Sequence, residues 1–187
     1  NLLIPKGVKV LDIGCNKGFL IKKIEQKINN SICKGYDENP YIQNYLKKKG
    51  FLLNYEKNKK IKFDLIVLSH SLMYFKNIKK LIKFLDNNLS KDGKIFIESP
   101  NIEKSPFYLL MGDQYYFFSI YALKKIFYKF NFHLSLVNNS PESSNFSVIF
   151  EKKKYKNHHI KKFNLNNFLK YLNFLKNYLL SLKKKNI

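Results

Sequence analysis

The sequence predicts a doubly wound α/β domain with a mostly parallel, seven-stranded sheet, an antiparallel last strand and a helical C-terminal tail. Three observations carry that reading. Short apolar runs alternate with longer stretches of three-and-four apolar spacing through residues 1–150. The first apolar run opens into a turn bracketed by two glycines. Two apolar runs then follow one another at the end of the domain with no helix between them.

Residues 8–13 form a near-continuous apolar run, as expected of a strand buried on both faces. Over 19–28, Leu20, Ile21, Ile24 and Ile28 recur as one helical face. Residues 31–36 read as the second strand. Pro40 opens a helix through residue 49, since proline suits a first turn, and Gly50 ends it. Residues 51–53 give a short third strand and 63–69 (FDLIVLS) a strong fourth. A helix over 78–89 places Leu81, Ile82, Leu85 and Leu89 on one side, and Asp92 and Gly93 turn the chain into a fifth strand at 94–98. After a looser stretch containing Pro100 and Pro106, Ser119 is the expected N-cap of a helix through Phe130. Residues 132–137 and 146–150 close the domain as two strands joined by a polar turn.

Composition bounds the function. A chain of 187 residues with 45% apolar content suits one domain, residues 1–151, and an appendage, residues 152–187. No apolar run is long enough to span a membrane, and the N-terminus lacks the shape of a signal peptide. The sequence does not begin with Met, so we expect it to start partway into a longer protein. Cys15 and Cys33 have no partners at metal-ligand spacing, so no metal is expected and a reduced, cytoplasmic setting is. The net charge is +22, yet all 35 basic residues are Lys. Proteins that grip phosphates or read bases lean on the guanidinium fork, so nucleic acid is a disfavoured partner. With abundant Asn and Ile, the lysines match a coding bias toward AT-rich codons.

The charge is also uneven. Residues 1–150 hold 24 Lys against 12 acids, and residues 151–187 hold 11 Lys against one. In that tail Leu165, Phe168, Leu172, Leu175, Leu179 and Leu182 recur at spacings of three and four, ahead of Lys183, Lys184 and Lys185. This predicts a basic amphipathic helix. Its expected partners are the domain itself, a second copy in a homodimer, or an anionic membrane surface along 165–185, which would make the protein membrane-peripheral.

The chemistry begins at Val10-Leu-Asp-Ile-Gly-Cys-Asn-Lys-Gly18. Asp12 sits near the end of the strand, and Gly14 and Gly18 bracket the turn into the helix, where backbone passes close to a ligand and free N–H groups are available. Asp37 ends the second strand, where a carboxylate accepts hydrogen bonds from ribose hydroxyls, and Glu38 follows it. The pair of motifs resembles class I S-adenosylmethionine-dependent methyltransferases, whose loop is acid-x-Gly-x-Gly-x-Gly. Asn16 stands at the middle glycine and tolerates the left-handed conformation.

The resemblance runs through about residue 150 and implies a Rossmann-like methyltransferase fold that binds S-adenosylmethionine. It implies cofactor contacts from Asp12, Gly14, Asn16, Gly18, Asp37, Glu38, Asn54 and Ser69. Ser69-His70 resembles the end of the family's fourth strand, and residues 93–101 its acceptor border. Residues 113–123 resemble a subgroup of sugar, polysaccharide or lipid modification, which implies a sugar or glycan-related acceptor. Met73-Tyr74 and Gln114 replace that subgroup's acid-His positions. His70 is then the leading candidate base, since its ordinary pKa lies near 6.5, with Glu98, Asp113 and Tyr74 as alternatives. A degenerate binding domain and an RNA methyltransferase are the competing readings. A NAD-dependent oxidoreductase is disfavoured by Asp12 ahead of the first glycine and by the final strand pair.

Overall fold

A computed structural model describes residues 7–54, 61–104, 106–110, 112–139 and 143–152. Among these residues six strands form one sheet, and four α-helices connect or follow them. In chain order they are β1 (Lys9–Ile13), α1 (Phe19–Lys27), β2 (Ile32–Tyr36), α2 (Pro40–Lys48), β3 (Phe63–Ser69), α3 (Ile78–Asn88), β4 (Leu89–Pro100), α4 (Ile120–Tyr128), β5 (Phe132–Asn138) and β6 (Asn145–Lys152). Short 3-10 turns lie at Leu72–Tyr74 and Pro106–Leu110. The predicted tail helix lies outside the described residues. Among the described residues no helix is long and apolar enough to cross a membrane.

The sheet order is β2-β1-β3-β4-β6-β5. β1 pairs in parallel with β2 and β3, and β3 with β4. β6 runs antiparallel to both β4 and β5, so the last strand among the described residues is inserted between its neighbours. This is the doubly wound sheet the sequence predicts, with six strands among the described residues where seven were expected of the domain. At 51–53 there is an isolated parallel bridge, Gly35 to Leu52, held by Gly35 N to Phe51 O (2.8 Å) and Leu53 N to Gly35 O (2.8 Å). Three residues leave room for little more than one bridge on the outer edge of β2.

The expected turn at Asp92 and Gly93 is also different. The register between β3 and β4 jumps from Phe63–Leu89 to Leu65–Lys94, so 90–93 is a bulge within one longer strand. Gly93 fits there because a Cβ would lie 2.8 Å from the Phe63 carbonyl oxygen.

Alternation along the strands fills both faces. Leu11, Ile13, Ile66, Leu68, Ile95 and Ile97 pack with α3 and α4, while Val10, Leu65, Val67 and Phe96 pack with α1 and α2. The Phe127 ring stacks on Phe150 at 4.4 Å, fixing α4 to β6. Local caps set where helices begin. Asn39 Oδ1 accepts from Tyr41 N at 2.9 Å ahead of Pro40, Asn77 Oδ1 from Lys80 N at 2.9 Å, and Ser119 Oγ from Ala122 N at 3.2 Å. The C-terminal ends of β1–β4 thereby meet the turns that carry the predicted site residues.

Candidate active site

The turn after β1 is built from alternating left-handed residues: Gly14 (φ 74°), Asn16 (φ 48°) and Gly18 (φ 67°). Asn16 adopts the conformation a glycine would have supplied. Gly14 N and Cys15 N both donate to Tyr36 O, at 2.8 and 3.2 Å, tying the turn to the end of β2. Gly14 answers a second demand. Ser71, whose Oγ donates to Ile13 O at 2.6 Å, lies so close that a Cβ on Gly14 would sit 2.3 Å from Ser71 Cβ. Gly18 caps α1, packed against Leu46 and Ile21.

Asp37 joins two turns. One carboxylate oxygen accepts from Asn16 N at 2.9 Å and the other from Asn39 N at 3.0 Å, while its carbonyl accepts from Gln43 Nε2 at 2.8 Å. Its oxygens keep further lone pairs, and a carboxylate has about four acceptor positions. Asp37, Glu38, Gly14, Asn16, His70 and Ser71 line a cavity of about 280 Å³. It adjoins a larger one of about 700 Å³, lined by Leu53, Phe84, Lys80 and Tyr115, and the two share Tyr36, Glu38, Tyr74 and Phe75. Asn54 is exposed beside Leu53 and does not line either cavity.

Asp12 is 5% exposed. Burial, and secondarily the like charge of Asp37, push its carboxyl up to about 7. Asp12 lines neither cavity. A cation beside a buried acid favours its ionised form, so an ammonium group is a chemically suitable neighbour for it, as the hydroxyls of a ribose are for Asp37. Among the described residues no cluster of His, Cys, Asp and Glu could hold a metal ion.

The other wall begins where β3 ends. His70 leaves the strand in a left-handed conformation (φ 53°), and its N–H donates to Glu98 O at 2.9 Å. Its Nε2 lies 3.9 Å from Glu98 Oε1, and Ser69 Oγ donates to Glu98 Oε2 at 3.3 Å. Ser69, His70 and Glu98 therefore form one polar group at the carboxyl ends of β3 and β4. His70 is half-exposed and faces the smaller cavity. Asp113 lies outside that group, and it and Gln114 are close enough to Tyr74 to act on its phenol. Burial and the Asp113 charge raise the Tyr74 phenol above its ordinary value. Ser71, Tyr36, Tyr74 and Phe75 also line the smaller cavity. Sequence reasoning gave Tyr74 only as an alternative base and passed over the other three. The one signal for Ser71 was its place two residues past the strand-ending Ser69.

A glycine-rich turn after β1, an acid ending β2 and an antiparallel strand inserted beside β4 define a class I methyltransferase. The chain belongs to the methyltransferase domain family, which it matches over residues 2–136, and its methyl donor is S-adenosylmethionine. A comparison with curated proteins gave no match. Among solved structures, the fold is similar to a SAM-dependent methyltransferase from Aquifex aeolicus, with a TM-score of 0.62 and 17% identity over 80% of this chain and 84% of that one. It is also similar to the ribosomal protein L11 methylase of Lactobacillus delbrueckii subsp. bulgaricus, with a TM-score of 0.55 and 16% identity over 81% and 73% of the two chains. A SAM-dependent methyltransferase from Clostridium acetobutylicum gives a TM-score of 0.59 with 13% identity, covering 79% and 85%.

Proposed function

We propose that this methyltransferase acts on a hydroxyl of a sugar, glycan precursor or related small metabolite, with its cofactor held by Asp12, Gly14, Asn16, Gly18, Asp37 and Glu38. The observation that carries the proposal is that His70 lines the cavity that Asp37 and Glu38 also line, with Glu98 behind it at 3.9 Å and Ser69 bonded to that same carboxylate. A proton acceptor there stands beside the donor site, which is what a hydroxyl acceptor needs and a more nucleophilic amine needs less. The sugar class rests on the resemblance of residues 113–123 to that subgroup, together with the polar residues Asp113, Gln114 and Tyr74 beside the cavities.

The cofactor supplies a sulfonium-activated methyl group. The chain's own residues orient and exclude water. Asp37 fixes the β1 turn and the start of α2 in one geometry, and in this reading accepts from the ribose hydroxyls together with Glu38. Asp12, ionised, orients the ammonium. The imidazole of His70 would take the proton from the acceptor hydroxyl, whose oxygen would receive the methyl group as the donor's carbon–sulfur bond breaks and a neutral thioether leaves. Glu98 favours the resulting imidazolium, because an opposite charge within about 4–6 Å stabilises the charged form. Asp113 and Tyr74 position neighbouring hydroxyls of the acceptor.

The test is transfer of labelled methyl from S-adenosylmethionine to a panel of sugars and nucleotide sugars, repeated with His70→Asn. Turnover falls by about 10²–10⁴-fold in the variant while cofactor affinity is kept. Full turnover in His70→Asn overturns the role of His70. Transfer to peptide or RNA with none to the sugars overturns the substrate class.

A further inference from the structure

Ten large apolar side chains are exposed among the described residues, and four of them, Leu109, Leu110, Tyr115 and Tyr121, fall between 106 and 121. Leu110 is 81% and Leu109 53% exposed, at the end of the short 3-10 turn Pro106–Leu110. Tyr108 of the same turn points inward, sharing a small void with Gln114, Tyr116 and Phe118. The turn is therefore anchored on one side and presents two adjacent leucines to solvent on the other. Adjacent exposed leucines on an anchored tip are uncommon without a partner, because burying a leucine is worth about 1.5–3 kcal/mol.

The surroundings say which partner. The segment following the leucines is stitched to the end of the β3 turn by Tyr115 N to Met73 O (2.9 Å) and Tyr116 OH to Lys76 O (2.9 Å). Lys76 Nζ lies 5.5 Å from the Tyr115 ring, and Lys125 Nζ lies 4.6 Å from the Tyr121 ring. Residues 70–85 contain four lysines and no acid. Residues 101–129 add Lys104, Lys124, Lys125 and Lys129 against Glu103 and Asp113. Tyr115, Lys76 and Lys80 line the larger cavity, and the exposed leucines precede Tyr115 by only five and six residues, so apolar tip and Tyr115 belong to one stretch of chain bordering the cavity that the two lysines also line.

We propose that this tip docks the domain on an anionic membrane surface. Leu109 and Leu110 enter the boundary between headgroups and acyl chains, Tyr115 and Tyr121 lie at headgroup depth, and Lys76, Lys80 and Lys125 meet lipid phosphates. Docked in this way, the larger cavity opens toward the bilayer, where an amphiphilic acceptor has its polar head. The docking surface is independent of the identity of the methylated hydroxyl, so each can fail alone.

The chain contains no Trp, so Leu110→Trp places a single fluorophore at the tip. The full chain carrying this change is mixed with vesicles of phosphatidylcholine alone, or with added phosphatidylglycerol, and followed by sedimentation and emission. The expected result is sedimentation with a blue-shifted emission on anionic vesicles at low salt, both lost at high salt. Leu109→Ser with Leu110→Ser, changes at exposed positions that leave the core intact, weakens vesicle binding on the order of tenfold or more. Sedimentation with unshifted emission, as the 165–185 segment alone would produce, overturns the proposal. So does undiminished binding of the double serine variant, or no binding at low salt.

Discussion

The two sides of the cavity are held in different ways. On the proposed cofactor side, between β1 and α2, the geometry is made largely by backbone. Gly14, Asn16 and Gly18 turn left-handed, two amides share the Tyr36 carbonyl, and Asp37 clamps two turns with its two oxygens. On the proposed acceptor side, the contacts are made by side chains at the ends of β3 and β4 and on the turns that follow. Ser69 and His70 meet Glu98, and Tyr74 meets Asp113 and Gln114. A ligand common to a whole family can be held by backbone, which changes little when side chains change. An acceptor that differs between relatives is read by side chains on loops, which can change without cost to the sheet.

The sharpest way to break the backbone side is Gly14→Ala. The left-handed conformation costs about 1–2 kcal/mol for a residue with a Cβ. The clash with Ser71 at 2.3 Å adds to it. We expect a total loss of about 2–4 kcal/mol in denaturant unfolding, with cofactor binding lost. Gly14→Ala combined with Ser71→Gly recovers part of that loss, which separates the clash from the backbone strain.

A second prediction uses Asp12. Its folded-state value of about 7 lies above the ordinary 3.8, so the folded protein binds a proton that the unfolded chain releases. Stability therefore falls as pH rises from about 4 through 7, by on the order of a few kcal/mol, and is level above. With Asp12 in its proposed role, cofactor binding has the opposite sign, because an ammonium favours the ionised acid. Affinity weakens by about tenfold for each unit below pH 7. In Asp12→Asn both dependences on this group disappear, measured by calorimetric titration and denaturant unfolding between pH 5 and 8.

The smallest effect is on the side-chain half. Tyr74→Phe removes the hydroxyl beside Asp113 and Gln114 at a cost of no more than about 1 kcal/mol. It raises KM for the acceptor about fivefold and leaves cofactor affinity unchanged. A matching loss of cofactor affinity would show that the two sides are not separately built.

The same contrast explains what was legible in the sequence. The β1 turn announces itself because its residue types are forced. Gly14 must approach Ser71, and Asn16 is one of the few residues at ease at positive φ. The α2 and α4 starts were legible from Pro40 and Ser119 for the same local reason. Ser71 was not, because its importance comes from a contact 57 residues away along the chain, with Gly14. The edge strand at 51–53 was overestimated because a run of three apolar residues does not say how many partners it will find. Leu109 and Leu110 read as ordinary apolar residues in a loose segment, and only the fold shows that they point away from the core.

The central claim is that the β1 turn and Asp37 hold S-adenosylmethionine. Thermal unfolding with and without that ligand, for the wild-type chain and Asp37→Ala, tests it most directly. A ligand at 100 times its Kd adds roughly 2.7 kcal/mol. In a chain of this size that raises Tm on the order of 5–10 °C. The account predicts this rise in the wild type and its loss in a folded Asp37→Ala. An equal rise in both proteins, or none in the folded wild type, would contradict it.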